Sequence, residues 1–580
     1  MKILFITTAF NGLAQRAWIE LDRLDCQVRV QIATDDEAMI KAVEDYRPEL
    51  IICPFLKKKL PETIWKNHTC LIIHPGIVGD RGGASLDWAV LDRCEEWGVT
   101  ILQAVEKMDA GPVWATRFFL MREINKAKLY RHEVTQAAMA ALLEAVERFR
   151  SGSFAPLLPE DFSSKKRDGY RRLTTQSDFA FSWNDDTSDI LRKMRAADSD
   201  PGVLRTFFGR DYYCYGAWEE GRLNGSPGQI LARRDDALCV ATGDGAVWIT
   251  HLKPAIEGAI KLPACMALGE QALSIPEVLL SPFDHSEFTT FREIRYEEAN
   301  EVGYLHFEFY NGAMSASQCR RLQAAFVECK KRPVKVIVLL GGSDVWSNGI
   351  HLNIIEAAEN PADQSWDNIN AIDDLIREII ACTTHYVISA MQGNAGAGGV
   401  ALALAADKVL ARNGVVLNPH TRNMGLYGSE YWTYSLPYRI GQEKADQATE
   451  QCLPWGTAIS KELGLIDDCF GDTAAEFVAG VRLLAEDIAH LAYYPKLIGA
   501  KQFERRKKES YKPLATYREA ELAEMRRNFY EDNWGYEYKR YCFVHKLHDE
   551  FQQAQIEQKD LYSERRKIFR RRKWESYYYD

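Results

Sequence analysis

Four glycines, Gly393, Gly396, Gly398 and Gly399, crowd the stretch Val387–Asp407 (VISAMQGNAGAGGVALALAAD), between a short apolar run and an alanine-rich segment of helical propensity. Glycine leaves main-chain N–H groups uncovered, and at the start of a helix the dipole favours negative charge there. Such a backbone stabilises an oxyanion or grips a phosphate. The same cluster also suits a tight turn that lets helix pack on strand, so context must decide. A second centre is His74, at the end of an apolar run and followed by PGIVGDRGG (Pro75–Gly83), with Asp109 further on before Gly111. A histidine so placed suits proton transfer, although a lone histidine at a strand end also fits a structural role. A third is Asn418–Tyr434, where His420, Arg422, Tyr427, Ser429, Glu430, Tyr431 and Tyr434 gather. Glu430 in this weakly charged aromatic setting suits a raised pKa and proton handling. Following Gly428 and Ser429, it equally suits a carboxylate at a helix start.

The elements that must position these groups follow from periodicity. Residues 1–150 alternate strand-like runs with helical patterns, as a parallel α/β sheet requires. Strands are expected at Met1–Thr8, Val28–Ile32, Leu50–Cys53 and Cys70–His74, and helices at Ala17–Leu24, Asp35–Asp45 and Val134–Phe149. Ligands in open α/β sheets bind where strands end at their carboxyl edge, which puts His74 in a place suited to chemistry. Ser151–Arg172 and Ile275–Asn300 read as connectors. Beyond the second, Gly303–Tyr310 reads as a strand, Ser315–Lys330 as a helix and Val334–Leu340 as a buried strand. From Leu491 onward the chain is aromatic and charged, with helical runs around Ala515–Asn528 and Tyr536–Gln555. These read as helices covering the preceding domain.

The 580 residues leave room for two to four domains. With 46% hydrophobic residues, and no apolar run near the roughly 18 residues that span a bilayer, no membrane partner is expected and the cytoplasm is the expected compartment. A net charge of −10 argues against nucleic acid as the main partner, the basic run Arg565–Lys573 notwithstanding. Thirteen cysteines show no metal-ligand spacing, so no metal is expected.

Two resemblances sharpen this reading. HPGIVGDRGGASLDWAVL followed by GVTILQAVEKMDAGPVW is similar to the core of the 10-formyltetrahydrofolate-dependent formyltransferases, and the RAADSDPG element (Arg195–Gly202) is similar to their small C-terminal β-barrel. That resemblance makes His74 and Asp109 catalytic and assigns Ile72, Gly82 and Gln103 to formyl-folate binding. Ile72 stands where the family has an asparagine, so the amide contact to the formyl oxygen is missing. The second pairing, SDVWSNGIH (Ser343–His351) with the glycine-rich stretch and LPWGTAISKELGLIDDCF (Leu453–Phe470), resembles the crotonase (enoyl-CoA hydratase/isomerase) superfamily. It implies an oxyanion hole from the N–H groups of Ile350 and Gly398. It also implies coenzyme A as ligand, approached by Ser347, Gly349, His351, Gly399 and His420. The two hydratase carboxylates fall on Ala401 and near His420, so hydration is not expected. Glu430, with Tyr427 or Tyr431, is then the candidate proton-transfer group.

The fold class implied is a multidomain α/β protein. It has a Rossmann-like formyltransferase sheet (1–165), a small OB-like β-barrel (166–275), a crotonase-like domain (285–490) and a helical extension (491–580). The combination resembles the hydrogenase maturation family HypX or HoxX. For that family the implied reaction moves formyl from 10-formyltetrahydrofolate to coenzyme A and decarbonylates formyl-CoA to carbon monoxide. The implied partners are the hydrogenase large subunit or other maturation proteins. Two alternatives stay open: a formyltransferase to an amine with a non-catalytic crotonase domain, and a non-catalytic delivery scaffold.

Overall fold

The computed structural model describes residues 1–162 and 169–547, which fall into two compact units dividing between Ala217 and Trp218. In the first unit, strands β1 (Lys2–Thr7), β2 (Gln27–Ile32), β3 (Leu50–Cys53), β4 (Cys70–His74), β5 (Asp80–Arg81), β6 (Glu96–Gln103) and β7 (Val113–Leu120) follow in chain order. Six of them form one sheet in the order β2-β1-β3-β4-β6-β7. The first four run parallel, as expected. The sheet does not stay parallel, however, because β6 and β7 add antiparallel to β4 and to each other. The change of direction follows the loop from His74 to the helix Ser85–Leu91, after which the chain re-enters the sheet beside β4.

Helix starts in this unit obey local chemistry. Asn11 caps Gly12–Arg23 by accepting from Ala14 N–H, and Asp35 caps Asp36–Tyr46 by accepting from Ala38 N–H. The strand β8 (Gly169–Tyr170) pairs with β5, and Arg171 N–H donates to the Arg81 carbonyl at 2.9 Å. Further on come the hairpin β9 (Val203–Phe207) and β10 (Arg210–Glu220), antiparallel over Val203–Cys214.

The second unit opens with antiparallel β11 (Ile230–Arg234), β12 (Ala237–Ala241), β13 (Ala246–Pro254) and β14 (Leu262–Pro263). Its core is two sheets. One joins β15 (Ile294–Ala299), β16 (Val302–Phe307), β17 (Val336–Leu340), β19 (Tyr386–Met391), β21 (Lys408–Arg412) and β24 (Asp468–Phe470). The other joins β18 (Val345–Ser347), β20 (Asn394–Gly396), β22 (Val416–Asn418) and β23 (Trp455–Gly456). The second sheet is what brings distant chemistry together, since it pairs Ser347 with Ala395 and Gly396 with Asn418.

The helix Pro361–Ile380 lies against this core. Asn360 caps it, Pro361 begins it without wasting an N–H, and Ile369, Ile372, Leu375, Ile376 and Ile379 bury one face. Each such side chain stabilises the unit by roughly 1.5–3 kcal/mol on burial. Helices Tyr494–Tyr511, Leu514–Tyr530 and Tyr536–His545 complete the described chain, and Leu514–Tyr530 packs on Pro361–Ile380. The last expected helix thus stops at His545 within the described residues, and the basic run Arg565–Lys573 lies outside them. No helix among the described residues is long and apolar enough to cross a membrane.

Candidate active sites

In the first unit His74 closes β4, with its side chain buried. Its Nε2 lies 3.3 Å from Asp80 Oδ2 and its Nδ1 3.7 Å from Asp109 Oδ2, so the ring stands between two carboxylates. Burial alone lowers the pKa of the imidazole. The hydrogen bond to Asp80 and the charges of Asp109 and Asp80 outweigh it and hold His74 above its ordinary value. Ser85, at the start of its helix, donates to Asp80 Oδ2, while Asp80 Oδ1 is buried with no partner among the described residues. Gly82 donates its N–H to Asp109 Oδ2 at 3.1 Å, and Asp109 itself takes a left-handed conformation with φ of 51°.

Two glycines are obligatory here. A Cβ at Gly76 would come within 2.4 Å of His74 Nε2 and 2.7 Å of Asp80 Oδ2, and one at Gly111 would fall 1.8 Å from the Gln103 carbonyl. Gln103 ends β6, where its side-chain oxygen accepts from Trp114 Nε1 at 3.3 Å. Ile72 is half-buried on β4, two residues from His74 and so on the same face, packed with Cys53 and Cys70. Asp80 was not anticipated. Its signal was an acidic residue between glycines six positions after the histidine.

In the second unit the loops after β18 and β20 meet. A Cβ at Gly349 would lie 3.2 Å from Gly398 N, and one at Gly399 would lie 2.1 Å from the Ser347 carbonyl. Ser347 is fully buried, and its Oγ accepts the Gly349 N–H at 3.1 Å. Trp346 Nε1 donates to the Gly399 carbonyl at 3.0 Å, tying the two loops. Ile350 follows in a bridge to Met314, and the next N–H, of His351, donates to Asn368 Oδ1 at 3.0 Å. Asn368 Nδ2 in turn donates to the Met314 carbonyl at 2.9 Å. His351 caps the helix Leu352–Glu356 through Nδ1, and burial pushes its pKa down to about 4. Its ring lies 6.5 Å from that of His251, nearly parallel.

Over these loops stands Glu430. A Cβ at Gly398 would fall 2.0 Å from Glu430 Oε1, so the carboxyl lies directly on the start of the helix Gly398–Leu404. Glu430 is 4% exposed, and its Oε2 accepts the Ser429 N–H at 2.9 Å. Burial first, then the charges of Asp373 and Glu521, push its pKa up to about 8. Glu430 and Tyr431 are consecutive left-handed residues with φ of 61° and 58°, a conformation that non-glycine residues hold only when their surroundings impose it.

Those surroundings are two carboxylates. Asp373 accepts from Glu430 N–H at 2.8 Å and from Ser429 Oγ at 2.8 Å. Glu521 accepts from Tyr431 N–H and Thr433 N–H, each at 2.9 Å. The helix Trp432–Ile440 therefore takes its N-terminal carboxylate from Glu521, and Glu430 is turned the other way, toward Gly398. Burial raises Asp373 to about 7 and Glu521 to about 8.

The other expected residues are placed as follows. His420 donates its Nδ1–H to the Asn418 carbonyl at 2.7 Å, and its Cε1 would lie 3.1 Å from a Cβ at Gly396. Tyr431 is fully buried on the side of Asp373 and Arg518. Tyr427 packs against Trp432 and Trp534, and its N–H donates to Asn528 Oδ1. Of the acidic group, only Glu430 is brought to the glycine turn. Ala401 is buried in the core.

Comparison with known proteins matches these domains. Residues 23–146 match the formyl transferase family, 174–266 the formyl transferase C-terminal domain, and 298–554 the enoyl-CoA hydratase/isomerase family. The chain thus combines a formyl transferase with a crotonase-like domain. It is 43% identical to the hydrogenase maturation factor HoxX of Bradyrhizobium diazoefficiens, over 94% of this chain and 95% of that protein. The solved structure of HypX from Aquifex aeolicus in complex with tetrahydrofolic acid superposes with a TM-score of 0.91 at 45% identity, covering 94% of this chain and 96% of that one. A methionyl-tRNA formyltransferase of Bacillus licheniformis is 25% identical over 38% of this chain and 70% of its own length. The chain belongs to the HypX/HoxX family of hydrogenase maturation factors.

Proposed function

We propose that the chain makes carbon monoxide in two steps for the active site of a nickel-iron hydrogenase. In the first, the thiol of coenzyme A attacks the formyl carbon of 10-formyltetrahydrofolate. A C–S bond forms, the C–N bond breaks, and the thiol proton ends on the folate nitrogen. His74, held between Asp80 and Asp109, handles that proton. A thiolate acceptor needs less help than an amine, which agrees with Ile72 in the place of an asparagine. The match to a relative solved with tetrahydrofolic acid supports folate as the donor, with Ile72, Gly82 and Gln103 lining its site.

In the second step formyl-CoA loses its formyl hydrogen as a proton and its sulfur as the leaving group, giving carbon monoxide and coenzyme A. No electron is gained or lost. The N–H groups of Ile350 and Gly398 hold the thioester oxygen, an effect worth a few kcal/mol per donor. The ionised Glu430 takes the proton and returns it to the departing sulfur. Ser347, Gly349, His351, Gly399 and His420 line the thioester's approach, and Tyr427 and Tyr431 back the Glu430 segment.

The observation that carries this reading is the Glu430 carboxyl lying on Gly398 while Ala401 is a buried alanine. An oxyanion site with a strong base and no hydratase pair suits proton removal from a thioester rather than addition of water. The working division is 1–165, 166–275, 285–490 and 491–580, in a cytoplasmic protein that hands its product to the hydrogenase large subunit or another maturation protein. The test is to incubate the protein with 10-formyltetrahydrofolate and coenzyme A and trap carbon monoxide on haemoglobin. Stoichiometric carbon monoxide is expected, and its absence with both substrates present overturns the reading.

A further inference from the structure

Two buried carboxylates, one from a helix of the crotonase-like core and one from the C-terminal extension, grip a single five-residue segment. Asp373 lies on Pro361–Ile380 and Glu521 on Leu514–Tyr530, 0% and 1% exposed. Between them they accept three backbone N–H groups, those of Glu430, Tyr431 and Thr433. The Ser429 hydroxyl lies 2.8 Å from Asp373 Oδ2 and 3.4 Å from Glu521 Oε2, so one hydroxyl links the two acids. Helix-start carboxylates elsewhere in a protein sit in water, whereas this pair is buried beside a third acid.

We infer that Asp373 and Glu521 are positioning residues for Glu430: by accepting the N–H groups on either side of it they impose the left-handed bend that lays its carboxyl on Gly398. The C-terminal extension thereby completes the site rather than only covering it. This deepens the decarbonylation reading and rests on it.

The charged and titratable groups facing Glu430 come from several helices. Asp373 comes from Pro361–Ile380, with Asp374 beside it, and Glu521 from Leu514–Tyr530; Cys319 comes from Ala316–Cys329. The nearby cation, Arg518, lies 3.8 Å from Asp373 Oδ2 but makes its close pair with Asp374, at 2.6 Å. Like charge from these acids therefore adds to burial, which is the larger effect at Glu430. A carboxylate of ordinary strength is a poor base toward a formyl hydrogen, and catalytic efficiency rises as its pKa approaches the working pH.

The test uses the full-length chain with Asp373→Asn and Glu521→Gln, which keep an acceptor oxygen and remove the charge, and with Glu521→Asp, which keeps the charge. With 13C-labelled glutamate, the infrared carbonyl band of protonated Glu430 is assigned by its loss in Glu430→Gln and followed against pH. The two neutral variants should move its midpoint down by about one pH unit and lower kcat for carbon monoxide about threefold above pH 9, where Glu430 is ionised in every variant, with KM unchanged, while Glu521→Asp restores both. A fall in kcat with the midpoint unmoved would make these residues merely structural and overturn the inference. Should a variant fail to fold, the unsubstituted chain decides: full ionisation of Glu430 at pH 6 overturns the inference. The titration needs no formyl-CoA, so expected titration without carbon monoxide release sinks the decarbonylation reading alone.

Discussion

The carboxyl of Glu430 occupies the space that a side chain at Gly398 would need, at 2.0 Å from the position of its Cβ. This relationship makes the glycine a requirement of the acid, beyond any demand of the turn. Replacing Gly398 with alanine should displace Glu430 and blunt the N–H donor together. Carbon monoxide release is expected to fall ~10²–10³-fold. Formyl-folate consumption with coenzyme A should continue, and formyl-CoA should accumulate when followed by chromatography.

Glu430→Gln keeps the shape and removes the base. It should abolish carbon monoxide release at every pH. On the decarbonylation proposal the ionised form is the base, so with a pKa near 8 the rate should climb as pH rises from 6 and level off above 9. A rate that falls over that range would assign Glu430 the opposite role, as an acid.

At the other site, Asp80→Asn removes the hydrogen-bonded charge that offsets burial at His74. The His74 midpoint, followed by NMR of its ring carbon, should move down. Formyl transfer at neutral pH should fall ~10–100-fold as the imidazolium is lost. Gly76→Ala should do at least as much damage, because its Cβ would push on His74, Ser85 and Asp80 at once.

Stability carries its own pH signature. The raised pKa of Glu521 means that the folded chain holds a proton the unfolded chain has already released above pH 4.5. Its contribution is thus full at low pH and is lost as pH rises through about 8. The difference in Tm between the unsubstituted chain and Glu521→Gln should therefore shrink from pH 5 to pH 9. A difference that grows with pH would mean that Glu521 is ionised in the folded protein throughout.

How much of this was legible beforehand depended on distance along the chain. His74 was legible because an apolar run ends on it and a glycine loop follows, and Gly398 because glycines interrupt an apolar pattern. Strand β4 matched its expected bounds, and Ser315 appears as the cap of Ala316–Cys329, one residue inside the expected helix. The antiparallel turn of β6 was not legible, since strand direction is set by how a loop returns and not by the strand's own residues. Asp373 and Glu521 lie 57 and 91 residues from Glu430, and only the fold brings them together. A trace was present nonetheless. Asp373 falls on the stripe formed by Ile369, Ile372 and Ile376, and Glu521 on that of Leu514, Met525 and Phe529, where an acid needs a partner to be tolerated.

The helix Pro361–Ile380 holds both halves of the second site, through Asn368 to the Ile350 loop and through Asp373 to Glu430. Five residues of α-helix separate these two anchors by about 7.5 Å along the axis and fix their angle about it. The helix therefore acts as a ruler between the Ile350 loop and the Glu430 carboxyl. Its outward residues are free to drift, but inserting or deleting one residue between Asn368 and Asp373 would swing one anchor by about 100° and part the Glu430 carboxyl from the Ile350 loop.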